Sequence, residues 1–94
     1  MKKFVLLAHG EMTPTSEFQQ AHQRWWSGIQ EHVLDPGSPL VHGRSVTRDG
    51  DVAEIPSGQP ALGYSIVEAE SIEHAIALLA DCPMDMWVYE AMAM

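Results

Sequence analysis

The sequence predicts a single α+β domain over residues 1–94, of the ferredoxin-like βαββαβ type. Three observations lead there. Apolar runs and amphipathic stretches follow in the order strand, helix, strand, strand, helix, strand. Clusters of Pro, Gly and Asp separate them. The first and last strands, finally, are apolar without the polar alternation of a sheet that has one wet face.

Phe4 to Ala8 is an unbroken β-compatible run bounded by Gly10, which reads as the first strand. Thr13-Pro14 supplies a helix cap followed by proline at the first helical position. Phe18, His22, Trp25, Ile29 and Val33 then recur at spacings of four, three, four and four, one face of a helix running to about Leu34. Ala21 and Trp26 widen that face, and Gly28 weakens the helix by about 1 kcal/mol. Asp35-Pro36-Gly37-Ser38-Pro39 is read as the turn that ends it. Leu40 to Arg48 is the second expected strand. Residues 49–61 are polar and rich in Pro and Gly, consistent with a ragged hairpin or a loop. Leu62 to Glu68 is the third strand. Ser71 caps a second helix whose face is Ile72, Ala75, Ile76, Leu79 and Cys82, with Pro83 as its stop. Met86 to Met92 is the fourth strand.

Right-handed crossovers place these strands in an antiparallel sheet ordered 4-1-3-2, with both helices on one face. Two helices cover one face only. Phe4-Val5-Leu6-Leu7-Ala8 and Met86-Trp87-Val88-Tyr89 are apolar on both, so the sequence predicts a homodimer that covers the second.

Composition narrows the partners. A net charge of −8, from thirteen acidic and five basic residues, repels nucleic acid and anionic membrane. The apolar run that follows Met1-Lys2-Lys3 ends after five residues, short of the ~7–15 of a secretion signal, and no run approaches the ~20 residues of a membrane span. The lone Cys82 forms no internal disulfide, and a reduced cytoplasmic setting is expected.

Candidate chemistry centres on a few side chains. His22 lies on the apolar helix face, where an imidazole serves either as a general acid or base or as a core residue with one hydrogen bond. Asp35 before Pro-Gly is either a turn residue accepting backbone N–H bonds or the carboxylate that orients a histidine. His9-x-Glu11 opens a zinc-deaminase signature, but the required Pro-Cys-x-x-Cys is missing. His9, His22 and His42 have no diagnostic ligand spacing, so neither a metal nor another cofactor is expected. His42 and Arg44 fall on one strand face with Arg48; there an arginine holds a carboxylate or phenolate ligand, or merely protects a sheet edge. Trp26 and Tyr64 offer flat surfaces for a planar ligand, or packing. Gly63, just before Tyr64, permits close approach of a ligand or a backbone.

Taken in order, several segments resemble the YCII-related family: Lys3-Phe4-Val5-Leu6-Leu7; Trp26 with Val33-Leu34-Asp35-Pro36-Gly37-Ser38-Pro39-Leu40; Gly63-Tyr64-Ser65-Ile66-Val67-Glu68-Ala69 with Ser71-Ile72-Glu73-His74-Ala75; Asp81-Cys82-Pro83; and Val88-Tyr89-Glu90. The resemblance covers nearly the whole chain. It implies a ferredoxin-like fold and face-to-face pairing as a dimeric α/β barrel. One branch of the family carries Asp-Gly-Pro-Phe where this chain has Asp49-Gly50-Asp51-Val52, so that branch does not fit. The resemblance also implies a His-Asp pair in the barrel cavity, with His22 and Asp35 as the positions to consider. Two functions follow as expectations. One is a cofactor-independent enzyme performing acid–base elimination or isomerisation on a small aromatic or carbonyl compound. The other is a non-catalytic dimeric binding or accessory module.

Overall fold

The computed structural model describes residues 1–10, 15–56 and 61–94. Among these residues the strands and α-helices follow in the order β1 (Lys2–His9), α1 (Ser16–Ile29), β2 (Val33–Pro39), β3 (Arg44–Val46), β4 (Val52–Glu54), β5 (Gly63–Ala69), α2 (Ile72–Ala77) and β6 (Asp85–Ala91). A four-stranded sheet runs in the order β2-β5-β1-β6, every neighbouring pair antiparallel. β3 and β4 form a separate two-stranded ribbon. The chain is a small α+β fold, compatible with the ferredoxin-like class.

The core lies between the sheet and the helices. Phe4, Leu6 and Ala8 of β1 are buried on one face, and Ser65, Val67 and Ala69 of β5 share it. Trp25 and Ile29 of α1 and Ala75 of α2 complete this layer. The indole Nε1 of Trp25 donates to the Leu78 carbonyl at 2.8 Å, tying α1 to the end of α2 across the top of the core.

The opposite face is apolar and open. Val5 pairs with Ile66 and Tyr89, and Leu7 pairs with Tyr64 and Trp87, so these side chains lie together on it. Trp87 and Tyr89 remain 39% and 59% exposed.

The helix boundaries differ from the sequence expectation. Thr15, not Thr13, caps α1: its Oγ1 accepts from the Phe18 N–H at 3.1 Å. Thr13 and Pro14 lie outside the described residues. α1 ends at Ile29, and a single 3₁₀ turn over Gln30–His32 leads into β2. Val33 continues the helical periodicity but pairs with Val67 as a strand residue, because there it gains both core contact and a ladder partner. Ser71 caps α2 as expected, its Oγ accepting from the His74 N–H at 3.1 Å. That helix ends at Ala77, and turn hydrogen bonds, including Leu79 N–H to Ile76 and Cys82 N–H to Leu79, carry the chain to Cys82. Ile76 is consequently 55% exposed, and Leu78 packs against the core.

The largest correction concerns the second strand, expected at 40–48. The strand that joins the sheet is Val33–Pro39, and residues 44–46 belong to the ribbon instead. Asp35-Pro36-Gly37 is therefore a bulged stretch of an edge strand rather than a helix-ending turn. Its register shifts twice, between Val33 and Asp35 and between Asp35 and Ser38. Proline is tolerated because β2 is at the sheet edge. Gly37 has φ +70°, and a Cβ there would overlap the Tyr64 carbonyl, so glycine lets β2 close onto β5.

Candidate functional site

A cavity of about 560 Å³ lies between α1 and the sheet. This is within the usual range for small-molecule sites. The bulky residues of α1 create it, because Phe18, His22, Trp25 and Trp26 hold the helix away from the strands. Its other walls are Leu6 and Ala8 of β1, the Pro36–Pro39 stretch of β2, the start of β5 and Met84 and Met86. Among the described residues, no Asp, Glu, Lys or Arg lines it. Polarity comes from His22, Ser65, Ser38 and the glutamines of α1.

His22 is half-buried at this wall, within an aromatic group. Its ring is stacked with Trp26 at 6.4 Å and with Phe18 at 6.2 Å, and meets Trp25 edge-on at 5.7 Å. Among the described residues, no hydrogen bond to its nitrogens accompanies these ring contacts. Trp26, half-buried, lines the same wall.

Asp35 does not join His22 there. Its Oδ1 accepts the Gly37 N–H at 2.8 Å, which is the turn-type role weighed from the sequence. Its Oδ2 accepts from the Tyr64 hydroxyl at 3.5 Å. Asp35 pairs with Ile66, whose side chain points to the open face, whereas the cavity lies on the helix side. Tyr64 borders the cavity, but its hydroxyl is directed to Asp35. The approach that Gly63 allows is made by backbone: a Cβ there would crowd the Ser38 carbonyl at 3.2 Å.

The other sequence candidates lie elsewhere. His9 stacks on Trp87 at the end of the open face, ring centroids 4.1 Å apart and planes within 16°. His42, with φ +59°, stands at the base of the β3–β4 ribbon. Arg44 on β3 donates to the carbonyls of His42 and Gly43 and lies 3.6 Å from Glu54, an exposed pair worth little. Among the described residues, no three His, Cys, Asp or Glu side chains gather as metal ligands.

Ser65 is the residue that the sequence reading missed. Only 6% exposed, it is the one polar residue among the buried positions of the described residues, between Gly63 and Val67 on the core side of β5. It lines the cavity. A signal existed: Ser65, Val67 and Ala69 share one face, and a lone hydroxyl on a buried strand face calls for a partner.

Cys82 is half-buried, and burial pushes its thiol pKa up, opposed by a backbone hydrogen bond from Met84 and helped by nearby Asp85. This disfavours the thiolate that a nucleophile needs. Among the described residues, no helix is long and apolar enough to cross a membrane. Comparison of the chain with family models, with curated proteins and with solved structures gives no match.

Proposed function

We propose that the chain is a small-molecule-binding domain of the YCII-like kind, whose cavity takes a neutral, planar ligand bearing one or two hydrogen-bonding groups. One observation carries this reading: a roomy cavity walled by aromatic and apolar side chains, with no charged residue among the described lining residues and with His22 and Ser65 among them. Indole and imidazole faces suit a flat ring. The imidazole can donate or accept, and the hydroxyl can do both. A carboxylate ligand fits less well, since Arg44 is engaged on the ribbon and, among the described residues, no Lys or Arg lines the wall.

The protein works as a homodimer in this reading. The open face carries Val5, Leu7, Ile66, Trp87 and Tyr89, and a second copy laid against it would remove these side chains from water. A cytoplasmic location fits the single free thiol.

Acid–base catalysis is the second reading, favoured by the position of His22 on the cavity wall. Asp35 hydrogen-bonds elsewhere, so His22 would act without a carboxylate partner, as the lone group that takes or gives a proton. Tryptophan fluorescence separates binding from its absence, because Trp25 and Trp26 both line the cavity. Titration with neutral phenols and aryl ketones is expected to quench the wild type, with affinity about tenfold weaker in His22→Leu. A panel that leaves the fluorescence unchanged in both would refute the binding reading. Turnover of a bound compound by the wild type and not by His22→Leu would move the assignment to the enzyme.

A further inference from the structure

The β3–β4 ribbon has no core of its own. Every residue from Leu40 to Glu54 is exposed, although the stretch includes Val41 at 74%, Val46 at 68% and Val52 at 64% exposure. Val46 and Val52 pair directly across the ribbon and form an apolar spot at its turn end. The ribbon is nonetheless well built. Thr47 Oγ1 accepts the Asp51 N–H, Gly50 adopts φ +90° in the turn, and the Ile55 N–H to Gly43 bond extends the ladder toward the base. An isolated two-stranded ribbon is marginal in water, so one this regular needs a surface to rest on.

The dimensions of the protomer point the same way. Its radius of gyration is 14.7 Å, against about 12.4 Å for a compact chain of this length. It exposes 6869 Å², where a compact monomer of the same mass exposes about 5,400 Å². The surplus, about 1,500 Å², exceeds the ~800 Å² that each partner gives to a standard interface and suits an obligate dimer.

We infer that the ribbon is an arm that clasps a second copy of this chain, each protomer's Val46–Val52 spot packing on the other. The inference rests on the homodimer reading above and adds to it. The sheet face brings the protomers together, and the arms make the pairing strong. In a two-fold arrangement both arms engage at once, so an arm substitution counts twice.

Sedimentation equilibrium at about 5 μM tests this with three proteins: the wild type, the arm variant Val46→Asp/Val52→Asp, and the sheet-face variant Leu7→Asp. The expected result is a wild type at twice 10.4 kDa and an arm variant weakened about a hundredfold, largely monomeric with the wild-type far-ultraviolet circular dichroism. An arm variant that dimerises like the wild type, while Leu7→Asp is monomeric, overturns the arm and leaves the sheet-face dimer standing. A wild type that is itself monomeric overturns both. An unchanged dimer whose arm variant loses ligand affinity makes the ribbon a lid on its own cavity and also overturns the inference.

Discussion

Replacing Gly37 by alanine is expected to destabilise the fold by about 3 kcal/mol, and the figure can be built from the backbone. The φ of +70° costs an L-residue about 1–2 kcal/mol. The added methyl would also overlap the Tyr64 carbonyl, which belongs to the β5 backbone and cannot swing aside. β2 must then lift away, loosening its pairing at Ser38–Tyr64 and Pro39–Gly63. A lost ladder hydrogen bond adds about 1 kcal/mol. Against a total of roughly 5–14 kcal/mol for a chain of this size, that is a large share, visible as a melting temperature lower by about 15 °C. Two controls separate the contributions. Gly50→Ala has positive φ but open space, so it should show the conformational cost alone. Gly28→Ala, on the exposed side of α1 with nothing nearby, should stabilise by about 0.5–1 kcal/mol. Urea unfolding at one fixed protein concentration reads all three. A Gly37→Ala penalty no larger than that of Gly50→Ala would refute the steric reasoning, and with it the account of the Asp35-Pro36-Gly37 bulge.

Other perturbations have defined outcomes. Phe4→Ala, at a side chain with no exposure, is expected to cost about 3–5 kcal/mol in the same unfolding assay. Trp25→Phe removes the bond to the Leu78 carbonyl and should cost about 0.5–1.5 kcal/mol beyond the change in volume; equal stability would mean that this bond does not tie α1 to α2. Ser65→Ala should leave stability near that of the wild type while weakening a hydroxyl-bearing ligand about five- to tenfold by fluorescence titration. Cys82 titrates above its ordinary value because burial opposes the thiolate. Above the ordinary thiol pKa the unfolded chain therefore loses this proton before the folded one, and stability falls as pH rises through the alkaline range. Cys82→Ala should flatten that alkaline limb, and an unchanged slope would contradict the assignment.

Much of the fold is legible in local chemistry. The run from Phe4 to Ala8 and the cap at Ser71 each rest on a preference that tertiary structure does not overrule, whereas α2 ends at Ala77, before the stop expected at Pro83. β2 was not legible for the opposite reason. Val33 satisfies the helical period of α1, and Pro36 with Gly37 satisfies a turn. Only pairing with β5, which lies far along the chain, turns those residues into a bulged edge strand. The same event separates the expected His22 and Asp35 pair, because the bulge directs Asp35 to Gly37 and Tyr64. The helix periodicity was enough to place His22 and Trp26 on one face of α1, the face that lines the cavity. Ser65 needed the strand parity to be read as a question about its hydroxyl. The β3–β4 ribbon looked like a second strand because Leu40, Val41 and Val46 are apolar, yet all three are exposed.

Heteronuclear NMR of the wild-type protein during titration with a neutral phenol tests the site most directly. The account predicts that shifts concentrate on the His22 ring nitrogens, the Trp25 and Trp26 indoles and the Ser65 amide, with Val5, Leu7 and Tyr89 unmoved. Shifts centred on the open sheet face, with the His22 ring silent, would contradict it.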